Sequence, residues 1–92
     1  MQAYVNITYD LNANKCSFQT NLKQERIKEI LGNFLRLQIG AGEDHSPSAE
    51  LEEYHVNITL NLIDDTFYST NDCGNLGLRD GIVMLAVRQL SE

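Results

Sequence analysis

Basic residues are scarce in this chain of 92 residues. Seven lysines and arginines stand against thirteen aspartates and glutamates, and the formal net charge is −6. The only basic concentration is KQERIK at residues 23–28, and it contains a glutamate. Binding to nucleic acid or to an anionic membrane depends on clustered lysine and arginine. We therefore expect neither a nucleic acid nor a membrane as partner.

Long apolar runs and cysteines are also few. The longest run, IVMLAV at 82–87, is too short to cross a bilayer, and the first ten residues lack the features of a signal peptide. The two cysteines, Cys16 and Cys73, form no CxxC pattern and no Cys–His pair at zinc-ligand spacing. We therefore expect a cytoplasmic protein with free, partly buried thiols, and we predict no metal site and no cofactor.

Alternation of apolar and polar residues marks four strands. It extends over residues 3–11 and 53–63, and after a short turn in each case it resumes at 16–20 and 66–71. A period of two residues is typical of a strand with one buried face. The sequence therefore predicts two β-hairpins.

Helical spacing of apolar residues follows each hairpin, at residues 21–40 and 76–90. Asn21 is placed to cap the first helix. Gly77 and Gly81 lie four residues apart near the start of the second helix, which predicts close packing of that end on the sheet or on the first helix. The element order is β-β-α-β-β-α.

The tetrapeptide VNIT occurs twice, at residues 5–8 and 56–59. Each copy contains an Asn-Ile-Thr glycosylation acceptor, but glycosylation needs a secretory route, for which we see no signal. With one residue dropped from the turn, Thr20-Asn21 also aligns with Thr70-Asn71. The same plan of strand, turn, strand and helix therefore occurs twice, and we interpret it as an internal duplication.

The predicted fold is α+β, with two ββα repeats that form a four-stranded antiparallel sheet with both helices packed on one face. We predict a single domain over residues 1–92, with internal repeats at about 3–39 and 54–91. An acidic loop rich in Gly and Ser, with the only Pro, joins the repeats at 40–53. The sheet contribution to the predicted core is Val5, Ile7, Tyr9, Leu11, Phe18, Val56, Ile58, Leu60 and Leu62.

The other face of the predicted sheet is polar but almost uncharged. It includes Tyr4, and its candidate binding residues are Asn6, Thr8, His55, Asn57, Thr59 and Asn61. An exposed sheet with few charges lacks the usual protection against association with other chains. We predict no catalytic residue. The predicted function is therefore a small protein-interaction or accessory domain that binds a protein partner and forms a homodimer.

Two other functions stay open. The first is an acidic inhibitor or decoy that binds a basic partner surface. Its candidate acidic residues are Glu43, Asp44, Glu50, Glu52, Glu53, Asp64 and Asp65. The second is a small ligand-binding protein or enzyme with a cleft between the repeats, near Cys73 and His45.

Overall fold

A computed structural model describes residues 2–38 and 52–92 of the chain. These residues form one four-stranded sheet and two helices. The strands are antiparallel, and their order in the sheet is β2-β1-β3-β4. The elements in chain order are β1 (Gln2–Asp10), β2 (Lys15–Thr20), α1 (Gln24–Gln38), β3 (Glu53–Asn61), β4 (Thr66–Asn71) and α2 (Leu76–Ser91). The predicted α+β class is confirmed. Most of the predicted loop at 40–53 lies outside the described residues, and Glu53 already begins β3.

The alternation in β1 and β3 determines which side of the sheet is buried. Val5 lies opposite Ile58 and Ile7 lies opposite Val56, and the exposed fraction of each of these four side chains is 1% or less. Residues between them point to the other face. One large core cluster combines this side of the sheet with apolar residues of both helices. Its helical members are Ile27, Leu31, Phe34, Ile82, Val83 and Ala86.

The largest fully buried side chain is Phe34 of α1. Its ring meets the ring of Phe67 of β4 edge to face, with centroids 5.6 Å apart and an interplanar angle of 74°. Full burial of one such side chain contributes about 1.5–3 kcal/mol. This contact joins α1 to an edge strand that, among the described strands, pairs with β3 alone.

Leu11 and Leu62 were predicted in the core, and this prediction is wrong. They begin the two turns, at 11–14 and 62–65, and are 38% and 37% exposed. β1 ends one residue and β3 two residues before the predicted end, because Asp10 and Asn61 bond to the turn backbone. Each uses its Oδ1 to accept a hydrogen bond from the backbone N–H two residues later.

The start of α1 also differs from the prediction, whereas α2 begins at Leu76 as predicted. Asn21 does not cap α1, because its side chain accepts a hydrogen bond from the Tyr4 N–H and donates one to the Gln2 carbonyl. By contrast α2 has a regular cap, in which the side chain of Asn75 accepts from the Leu78 N–H at 2.7 Å.

The predicted close packing at Gly77 and Gly81 is also wrong. Both glycines are exposed, and a Cβ added at Gly81 would meet no described atom within 4 Å. A Cβ at Gly77 would approach only the side chain of Asn75, which belongs to the cap of the same helix. These glycines therefore do not bring α2 closer to the sheet or to α1.

Candidate interaction surface

All six predicted binding residues lie on the face of the sheet opposite the core, which we name the outer face. Their positions alternate with the buried positions of β1 and β3. Because the two central strands pair directly, Asn6 lies opposite Asn57 and Thr8 lies opposite His55. Asn57 is exposed, and the other five are partly buried by their neighbours. The structure therefore brings these residues together, and their role in binding stays a prediction.

The middle of the outer face is uncharged. One row across the four strands consists of Gln19, Asn6, Asn57 and Thr70. The amide of Asn57 donates to the hydroxyl of Thr70 at 3.3 Å. The edge strands thus extend the polar surface that the predicted residues begin on β1 and β3.

Two tyrosines border this polar region. In the neighbouring row, which contains Thr59 of β3, Tyr4 and Tyr68 lie on either side of Thr59. They are 36% and 69% exposed. The predicted match of Thr20-Asn21 with Thr70-Asn71 implies that Tyr68 corresponds to Phe18 on the core side, and hence that Ser69 lies on the polar face. The register reverses this assignment, because Ser69 lies opposite the buried Ile58. Adjacent aromatic residues, Phe67 and Tyr68, left the orientation of this strand ambiguous in the sequence.

Charge is concentrated at one end of the outer face, around His55. Its Nδ1 lies 2.9 Å from an Asp72 carboxylate oxygen, and its Nε2 lies 3.3 Å from Glu53. The hydrogen bond to Asp72 is the main reason that the pKa of His55 is raised above its usual value, with the charges of Asp72 and Glu53 adding to it. A protonated imidazole would donate to both carboxylates.

A buried ion pair, Arg79 with Asp80, was missed by sequence reasoning. The Nε and Nη2 atoms of Arg79 donate to one oxygen of Asp80 at 2.9 and 2.7 Å. The guanidinium also lies over the ring of Phe34, 5.1 Å from its centroid. The sequence contains one indication that Arg79 is buried. Arg79 precedes the buried Ile82 and Val83 by three and four residues, so it lies on the same face of α2.

The two cysteines are free, as predicted, and they are buried rather than partly buried. Burial is the main cause that raises the pKa of Cys73 to about 11, and the charge of Asp72 adds to it. A thiol with this pKa is protonated at neutral pH and is a poor nucleophile. His45, its suggested companion, lies outside the described residues. Within residues 2–38 and 52–92, no three His, Cys, Asp or Glu side chains are grouped to hold a metal ion.

Gln89 closes part of one sheet edge and was also missed. Its side chain accepts from the Cys16 N–H at 2.9 Å and donates to the Cys16 carbonyl at 2.8 Å. These groups point away from β1, on the free side of β2. The amide of Gln89 therefore takes the place that the backbone of another strand would occupy.

Comparison with known proteins returned no relative: no family model, curated protein or solved structure matches the chain. None of the helices in the described part of the chain is long and apolar enough to span a membrane.

Proposed function

We propose that this chain is a non-catalytic protein-interaction domain that self-associates through its outer face. The observation that supports this most directly is the exposed, uncharged middle of the sheet, bordered by Tyr4 and Tyr68. The centres of protein interfaces are depleted of charge and enriched in tyrosine. The six candidate residues would form the contact, with His55 at its charged end. The free, buried thiols support a place in the reducing cytoplasm.

We further propose that two ββα repeats form the domain, with both helices on one face of the sheet. Hydrogen bonds recur at the same sequence offset that separates the two VNIT segments. The Tyr4 N–H bonds to Asn21 as the His55 N–H bonds to Asp72. The turns recur at this offset too, since Asn14 and Asp65 both have positive φ. The core cluster, which includes residues of both helices, supports the one-face arrangement.

The offset between these recurring features gives an alignment of the repeats that differs from the one predicted from the sequence. Phe18 lies opposite Ile7, and Ser69 lies opposite Ile58, so Phe18 corresponds to Ser69 and no residue is dropped in the turn. The earlier match of the two Thr-Asn pairs is therefore wrong. A proposed two-fold axis would pass between Asn6 and Asn57, which are partners in the register.

Light scattering over a range of chain concentrations tests the self-association. We expect a dimer that dissociates on dilution and that is weakened at least about tenfold by Asn57→Lys or Thr59→Lys, since each places a charge in the contact. Gln24→Lys is the matched control, because it adds the same charge at an exposed position of α1. A strict monomer at high concentration, or equal effects of all three variants, would refute the proposal. Binding to a basic protein that weakens steeply with salt would instead favour the acidic decoy.

A further inference from the structure

The free edge of β4 has backbone groups that point away from the sheet. The N–H and carbonyl of His55 both bond to Asp72, so they face the β4 side of β3. Backbone direction alternates along an antiparallel strand, and alternate residues of β3 therefore bond to β4. The residues of β4 that bond inward are Thr66, Tyr68 and Thr70, and those that point outward are Phe67, Ser69 and Asn71.

The two edges of the sheet differ in how these outward groups are used. At β2, Gln89 bonds to both backbone groups of Cys16. At β4, no hydrogen bond within residues 2–38 and 52–92 uses the outward N–H or carbonyl of Phe67, Ser69 or Asn71. The strand also contains no charged residue and no proline, which are two of the usual means of blocking an edge. Within the described residues, the β4 edge is therefore open to a further strand.

A cavity of about 310 Å³ lies beside this edge, between α1 and the start of β4. Its apolar lining includes Phe67, Leu60 and Leu37, of which Leu37 is 59% exposed. The polar lining of the cavity comprises Arg26, Glu29, Asn33, Arg36 and Asp65. Arg26 is paired with Glu29 at 2.7 Å, and Arg36 donates to Asn33 at 3.0 Å. Arg36 has no carboxylate partner among the described residues.

We propose that the β4 edge binds an extended segment of a partner protein as a fifth strand of the sheet. The three outward residues would provide about six hydrogen bonds to its backbone. Alternate side chains of an added strand point to the core side, so the one beside Phe67 would enter the cavity. The segment therefore has an apolar side chain at this position and a carboxylate nearby for Arg36.

A second copy of β4 fits this site poorly. The side chains of β4 on the core side, apart from Phe67, are Ser69 and Asn71. Two antiparallel registers would pair most of β4 with β4 of a second copy. In each of them, Ser69 or Asn71 of one copy would lie beside Phe67 of the other. A polar side chain packed against Phe67 and Leu60 is unfavourable unless it finds a hydrogen-bond partner. The edge and the outer face are separate surfaces, and this inference does not depend on the self-association proposed above.

Two capped nine-residue peptides test the inference on the unmodified chain by NMR titration. Both consist of Thr with Glu at the third and seventh positions, and the fifth position is Leu in one and Asn in the other. We expect the Leu peptide to shift the amide signals of Phe67, Ser69 and Asn71 and to bind at least about tenfold more tightly than the Asn peptide. At a concentration that occupies nine-tenths of the chain, exchange of these three amides should slow about tenfold.

Substitutions in the chain test where the Leu peptide binds. Ser69→Pro removes an outward N–H while leaving the ladder to β3 intact, so it should weaken the Leu peptide at least about tenfold. Arg36→Gln should weaken it severalfold, and should have no effect on a peptide with Gln in place of both Glu. Circular dichroism checks that each variant is folded. If Ser69→Pro is unfolded, the comparison of the Leu and Asn peptides on the unmodified chain still tests the inference.

Three results would overturn the inference. They are the absence of shifts in β4, equal affinity for the Leu and Asn peptides, and protection of the β4 amides by increasing chain concentration without peptide. The last result would assign the edge to a second copy. Failure of the outer-face charge variants to affect self-association would count only against the function proposed earlier.

Discussion

Replacement of Gln89 by Ala tests whether a side chain that is distant in sequence stabilises the sheet edge. Gln89 belongs to the last turns of α2, and its two hydrogen bonds reach a residue that precedes it by 73 positions. Each bond contributes about 0.5–1.5 kcal/mol net, so the pair is expected to contribute about 1–3 kcal/mol. Ala favours the helix over Gln by a few tenths of a kcal/mol. Water can also solvate the freed groups of Cys16 at the edge. We therefore expect a loss of about 1–2 kcal/mol.

Urea unfolding measures this loss as a lower midpoint with an unchanged slope. Gln19→Ala is the matched control, since Gln19 is exposed on β2 and its side chain makes no hydrogen bond within the described part of the chain. We expect it to change the free energy of unfolding by less than about 0.5 kcal/mol. Gln89→Glu should destabilise about as much as Gln89→Ala, because a carboxylate cannot donate to the Cys16 carbonyl. Equal stability of the Gln89→Ala and Gln19→Ala proteins would show that the two bonds contribute nothing.

Three further predictions follow from buried and paired side chains. Phe34→Ala should lower the free energy of unfolding by about 3–5 kcal/mol, measured by urea unfolding, because it leaves a cavity beneath the guanidinium of Arg79. The raised pKa of His55 means that its contribution to stability is fully present below its usual 6.5 and is lost as pH rises through the folded-state value; His55→Gln should abolish this part of the pH dependence, and an NMR titration above 6.5 checks the pKa. Cys73 should react with a thiol reagent at least about a hundredfold more slowly in the folded chain than in urea, because it is buried with a pKa of about 11.

Local patterns were sufficient to predict the strands and helices. The alternation around Val5 and Val56 reports directly which side chains share a face, because the period of a strand is a property of the backbone. The same alternation placed Asn6, Asn57 and their neighbours together on the outer face. The starts of the turns were harder to predict, because Leu11 and Leu62 continue the alternation although the backbone has already left the strand.

Contacts between distant segments account for what the sequence reasoning missed. Asn21 has the form of a helix cap, yet its side chain bonds to β1, which becomes its neighbour only in the folded sheet. Arg79 is charged, and its burial depends on Asp80 and on the ring of Phe34 from another helix. Such side chains are buried only when folding supplies partners for their polar groups.

The sequence by itself determined the number, type and order of the elements and the polar character of one sheet face. These follow from periods of two and of about 3.6 residues, which involve only near neighbours in the chain. The tertiary structure alone decided the strand order β2-β1-β3-β4, the outward turn of Tyr68, and the closing of the β2 edge by Gln89. These features arise from pairing between segments far apart in the chain, and no local pattern encodes which distant strand or side chain will supply the partner.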